Sequence, residues 1–205
     1  MAGIATPLVL SVHSVVSWDF ALAIVPGWHS TIFAPYFVAG AIFSGVAMVI
    51  TLMIPLRWAF GLEAYITKNH FENMAKLILL TSSIVAFSYA TEFFLAYYSA
   101  DPIEIESFRW RAFGAYALPF WAMVFCNVVV PQALWLRKIR RSLPALFAMT
   151  IFINIGMWYE RFVIIVTSLA HEYEPAGWGL YTPSWVEISI LIGSFSWFFF
   201  WFLLF

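Results

Sequence analysis

Six stretches of this sequence are long and apolar enough to cross a lipid bilayer, and no other feature constrains the fold as strongly. A spanning helix needs about 20 mainly apolar residues. Residues 4–25, 33–56, 75–98, 112–136, 143–169 and 186–205 each meet that requirement. The connections between them are short and hold most of the charge, glycine and proline, as loops at a bilayer surface should. Strands of a transmembrane barrel would alternate apolar and polar residues over about 10 positions, and the sequence has no such pattern. The expected fold is all-α: one polytopic transmembrane helix bundle, with no separate soluble domain.

Composition points the same way. Of 205 residues, 63% are hydrophobic, 20% aromatic and only 10% charged, where a soluble domain carries roughly 25% charged residues. A water-soluble core of this size could not hide so many rings, so lipid must solvate much of the surface. A net charge of −1 gives no basic character suited to nucleic acid. Cys126, the one cysteine, lies in an apolar span and is read as a packing residue. A lone cysteine excludes an internal disulfide and a cysteine-ligated cluster within the chain. No metal site is expected, and no Walker, HExxH or glycine-rich dinucleotide motif occurs. The N-terminus lacks the charged region and cleavage site of a signal peptide.

Lysine and arginine set the expected orientation. Arg57, Lys68, Lys76, Arg137, Lys138, Arg140 and Arg141 fall on one side of the bundle. The other side has Arg109 and Arg111 beside Asp101, Glu104 and Glu106, and then a loop with Glu172 and Glu174. The positive-inside rule makes the arginine-rich side cytoplasmic, with the N-terminus inside. Neither end carries the polar flank that usually anchors a spanning helix. The chain is therefore expected to be a piece of a longer protein.

Ionisable side chains inside spans point to function, because each costs at least about 2.5–3.5 kcal/mol on insertion scales. His13 and Asp19 lie in the first span, Glu92 in the third and Glu160 with Arg161 in the fifth, while Glu187 opens the sixth. Asp19 and Glu92 each sit about six residues, or roughly 9 Å, inside the outer ends of their helices. Glu160 and Arg161 lie slightly deeper, and His13 lies near the middle. This shared depth suggests a polar cavity opening outward, with Trp18, Trp158, Tyr97 and Tyr98 available as an aromatic wall. Asp19, near the break at Pro26 and Gly27, suits proton exchange. His13 either relays protons or bonds to Ser17 or another helix. Arg161 either pairs structurally with Glu160 or a neighbour such as Glu92, or takes part in a relay; adjacent residues diverge by about 100°, which favours partners on other helices. A bis-histidine haem is not expected, since His29, His70 and His171 fall in or beside loops and only His13 is clearly within a span. Gly40, Ala41, Ser44 and Gly45 form small-xxx-small spacings that suit close helix approach.

The runs SVHSVVSWDFA (11–21), PGWHSTIF (26–33), YFVAGAIFSG (36–45) and NIGMWYER (154–161) together resemble the NrfD/PsrC polysulphide reductase family of membrane subunits. Within that family the sequence is most similar to the ActC-type subunits of alternative complex III. The resemblance implies an NrfD-like second four-helix bundle plus flanking helices, equivalent to the C-terminal portion of a longer subunit in a bacterial cytoplasmic membrane. It also implies quinol (menaquinol) oxidation at the outer face of a respiratory complex. Asp19 and His13 would be the catalytic pair, and Trp18 would join them in binding the quinol. A carboxylate there can take the hydroxyl proton that electron loss makes acidic. Electrons would pass to an outer-side iron–sulfur subunit and on to c-type cytochrome subunits, with a homologous NrfD-like membrane subunit and a terminal oxidase as further partners. The clusters and c-type haems would belong to those partners, and this subunit would bind no cofactor covalently. Glu92, Glu160, Arg161 and Glu187 would offer a route for proton translocation. Two other readings stand beside this one: a non-redox proton or ion transporter using Glu92, Glu160 and Arg161, and a structural membrane anchor for soluble redox subunits.

Overall fold

The computed structural model describes residues 2–28, 30–171 and 173–204, apart from the side chains of Ala2 and Pro175. His29, Glu172 and the final Phe205 lie outside the described residues. Helices α1 (Ala2–Ala21), α2 (Phe33–Ala59), α3 (Lys68–Tyr98) and α4 (Pro102–Phe113) come first. They are followed by α5 (Ala117–Trp135), α6 (Leu143–Thr167) and α7 (Trp185–Leu204). All except α4 are long and apolar enough to cross a membrane, and no strand occurs among the described residues.

Local sequence explains most of the boundaries. Thr67 caps α3 in a reciprocal box with His70. Gly61 takes the left-handed conformation (φ 62°) that ends the turn after α2. The connection between the third and fourth spans, read from sequence as an acidic loop, is partly helical. Asp101 accepts from the Ile103 amide at 2.9 Å, and Pro102 occupies the first turn, so α4 begins with a capped end. Gly114 closes α4, and α5 starts three residues later.

The bundle centres on α2, α3, α5 and α6, which pack in two apolar clusters. On the α4 side, Phe33, Phe37, Val85, Phe120, Met123 and Val163 pack together. On the arginine-rich side, Phe43, Ile50, Phe71, Ile78, Leu146 and Ile153 do the same. Between the clusters runs a buried polar layer containing Ser82, Asn127 and Glu160. Two π-helical turns border that layer, Phe125–Val129 in α5 and Val163–Thr167 in α6. Single π-turns inside α-helices often occur at functional sites. At the margins, α1 buries Ser17 against the bundle, and α7 has no buried residue.

Candidate functional site

The buried layer is built around Glu160, which is fully enclosed. Its Oε2 accepts from the Tyr89 hydroxyl of α3 and from Asn127 Nδ2 of α5 at 3.3 Å. Asn127 Nδ2 also lies 3.1 Å from the Tyr89 oxygen, so three helices meet at one carboxylate oxygen. Oε1 has no hydrogen-bond partner among the described residues, and Arg161 Nη2 stands 3.7 Å away. Arg161 therefore pairs with its chain neighbour rather than with another helix. Its guanidinium also lies 4.5 Å from the centre of the Phe37 ring, and this cation–π contact holds it close to Glu160 despite the divergence of adjacent side chains. Gly156, one turn before Glu160, lets α5 approach α6 closely enough for Asn127 to reach the acid.

Toward the α4 side, Glu92 pairs with Arg111 at 3.0 Å. Arg111 comes from the last turn of α4, a position that sequence alone assigns to a surface loop. Its Nη2 donates to Ser168 Oγ at 2.7 Å and points toward the Pro26 carbonyl at 3.5 Å. Gly27, at φ 76°, makes this approach possible, because a Cβ there would lie 2.5 Å from Arg111 Nη2. Trp28 Nε1 donates to Ile164 O, inside the π-turn of α6, at 2.8 Å. The loop after α1 is thus fixed across both the arginine and α6. Beside the ion pair lies a cavity of about 50 Å³ lined by Gly27, Ser30, Glu92, Glu104, Ser107 and Arg111. That is room for ordered water, which needs about 30 Å³ per molecule in the liquid. Ser30 Oγ and Arg111 Nε are both buried there without a partner among the described residues.

On α1, Asp19 lies shallower than the apolar run implies: the helix ends at Ala21, before the break at Pro26 and Gly27, so Asp19 sits in its last turn, exposed and with no hydrogen bond or ion pair among the described residues. Trp18 is 51% exposed and lines a groove of about 370 Å³ with Ala21, Leu22, Ser30, Thr31 and Ala34. Ser30 is common to this groove and to the Glu92–Arg111 cavity, so it forms the wall between them. His13 turns its Nδ1 to the Val9 carbonyl at 2.8 Å and does not meet Ser17. Helical side chains lean toward the N-terminus, so the ring reaches one turn back and Ser17 bonds to Ser14 O instead. The four residues Glu92, Arg111, Glu160 and Arg161 thus form two ion pairs, each with one buried member (Arg111, Glu160) and one half-buried member (Glu92, Arg161), with Asp19, Trp18 and His13 on a separate helix. Glu187 stands apart from both groups: it accepts from the Ser184 amide at 2.9 Å and from the Ser184 hydroxyl, capping α7. Tyr97 and Tyr98 are exposed at the end of α3, and Trp158 lines a lipid-side groove between α2, α6 and α7.

The sequence profile described as "Polysulphide reductase, NrfD" matches residues 1–171, which include every residue of both ion pairs. The chain belongs to the NrfD polysulphide reductase family. It is also 25% identical, over a 228-residue alignment, to a Halobacterium salinarum (strain ATCC 700922 / JCM 11081 / NRC-1) protein provisionally named as a membrane subunit of dimethyl sulfoxide reductase. That alignment covers 94% of this chain and 48% of the relative, so the chain spans about half the relative's length. With six apolar helices and membership of the NrfD family, the chain is a multi-pass membrane protein. Tyr89, Asn127, Ser30 and Arg111 are the site residues that sequence reasoning missed. Only Arg111 carried a usable signal, as a cation in the last turn of a helix opened by Asp101–Pro102.

Proposed function

We propose that this chain is the quinol-facing part of the membrane subunit of a respiratory complex of the alternative complex III type, oxidising quinol at the α4 side. The observation that carries the reading is Asp19: an exposed carboxylate in the last turn of α1, at the α4-side rim of its span, with no partner among the described residues. At that rim the carboxylate is open to a polar partner from outside the chain. A quinol hydroxyl lying along α1, with its ring beside Trp18, supplies one. Asp19 accepts the hydroxyl proton as electrons leave, and His13 holds or passes protons deeper on the same helix. From the Trp18 groove a proton can cross by Ser30 to the water-sized cavity at Glu92. Family membership and the relative named as a reductase membrane subunit support a place in an electron-transfer complex.

The donor set for metal lies elsewhere in this reading. Cys126 is buried and alone, and among the described residues no three His, Cys, Asp or Glu side chains converge. An iron–sulfur subunit docked on the α4 side takes the electrons and hands them to c-type cytochromes. A homologous NrfD-like membrane subunit and a terminal oxidase complete the proposed assembly, which sits in a bacterial cytoplasmic membrane. Glu160, enclosed between the two π-turns and bonded through only one carboxylate oxygen, is the proposed centre of proton translocation, with Glu92 and Arg161 beside it. Glu187, bound into its own helix cap, is the weakest member of that route.

The test uses the intact complex carrying Asp19→Asn. Quinol-driven reduction of the partner's iron–sulfur clusters should fall by about a hundredfold or more, the range lost with a general base, while assembly is retained. Turnover equal to that of the parent would remove the role. Glu160→Gln should keep quinol oxidation and lose proton translocation in liposomes.

A further inference from the structure

The turn joining α5 to α6 concentrates positive charge, and its geometry is more specific than membrane topology requires. Arg137–Arg140 form a single helical turn. Arg140 faces inward and donates to Leu134 O at 2.7 Å and to Trp135 O at 3.1 Å, which fixes the turn against the end of α5. Glu72, largely buried near the start of α3, lies between the flanking arginines. Arg141 Nε stands 3.5 Å from its Oε2 and Arg137 Nε 3.9 Å from its Oε1. Both arginines therefore meet the carboxylate through Nε. Among the described residues their terminal nitrogens bond to no acceptor, and the two side chains are 44% and 71% exposed. Trp135 and Leu136, both exposed beside them, place the turn at the lipid–water boundary.

We propose that Arg137 and Arg141, with Lys138, form a headgroup site for an anionic phospholipid in the leaflet that they face. A single carboxylate holds two guanidinium groups side by side while leaving both terminal forks open, which matches the bidentate demand of a phosphodiester. The acyl chains then lie along Trp135 and Leu136. Arg57, on the same side of the bundle, is the internal contrast. Its Nε donates to Ile66 O at 2.8 Å and its Nη1 to Glu63 at 3.1 Å, so its guanidinium is already engaged within the protein. A cationic loop suffices for topology; two arginines pre-set by one acid add a recognition element.

Binding of short-chain phosphatidylglycerol to the intact complex in neutral detergent, followed by native mass spectrometry, tests the site. Arg137→Gln/Arg141→Gln should bind the lipid at least about tenfold more weakly. Arg57→Gln should bind as the parent does, and equimolar inorganic phosphate should not displace the lipid. Three results would each overturn the site: parent-like affinity in the double variant, an equal loss in Arg57→Gln, or displacement by inorganic phosphate. If the glutamine pair fails to assemble, Arg137→Lys/Arg141→Lys keeps the charge and removes the forks. A several-fold loss in that variant supports the site, and unchanged affinity overturns it.

Discussion

A methyl group at position 156 would lie 2.3 Å from Asn127 Oδ1 and 2.5 Å from Cys126 Cβ, well inside contact distance. Gly156→Ala must therefore push α5 from α6 at the point where Asn127 reaches Glu160. Overpacking of this kind costs about 1–3 kcal/mol, so thermal unfolding in detergent should occur several degrees lower. Gly45→Ala is the control, because a Cβ there meets nothing within 4 Å, and it should not lower the midpoint, since alanine is the better helix former. The same residues show what was legible. Glu92 and Glu160 stand out in sequence because a charge within an apolar run is costly anywhere in hydrocarbon. Tyr89, Asn127 and Ser30 do not, since a hydroxyl or amide is ordinary in a membrane helix and acquires meaning only from what faces it. For Arg161 it was the divergence of adjacent side chains that misled: it favours a partner on another helix, yet the guanidinium lies against Phe37 of α2 and within 3.7 Å of Glu160.

At the scale of elements, long apolar runs made the spanning helices readable but not all their ends, since α3 starts at Lys68 rather than Ala75 and α5 at Ala117 rather than Ala112, and the π-turns left no trace in sequence. A π-turn needs no special residue; it forms where packing on both sides favours a widened turn, and here it lies at the depth where α5 and α6 must present Asn127 and Glu160. The short helix α4 was readable in principle from Asp101, Pro102 and Glu104, but its charges resembled a loop. Its value to the site is positional, since it carries Arg111 into the bundle under the loop that Trp28 secures. Trp28→Phe keeps the ring against Phe20, 4.8 Å between centroids, and removes the donor to Ile164 O. Losing a partner for that carbonyl costs about 1–3 kcal/mol. Hydrogen exchange should rise locally across residues 163–168 and in the loop after α1, with the arginine-rich end of the bundle unaffected. Uniformly faster exchange would show instead that the indole supports the whole bundle.

The whole molecule is asymmetric in what it covers. Helices α2, α3, α5 and α6 bury polar groups against one another, while α1 and α7 leave most of their surface outside the core. Apolar surface can face lipid, but the half-buried His13 in the middle of α1 is poorly matched to it. Together with coverage of about half the relative's length, this supports the proposal that the native subunit is longer and that its other helices close over α1. The direction of proton release then depends on which way the bundle is inserted. Arginine and lysine crowd the side of Arg57 and Arg137–Arg140, whereas the side of Asp101 and Glu104 is acidic, so the α4 side should face outward. Single cysteines can decide this in a Cys126→Ser background, which removes the buried native thiol. Ala64→Cys and Ser99→Cys both occupy exposed positions, one on each side. An impermeant maleimide applied to right-side-out vesicles should label Ser99→Cys alone, and inverted vesicles should reverse the pattern. The opposite result would turn the site to face the cytoplasm, and protons taken by Asp19 would then be released where they add nothing to a transmembrane gradient.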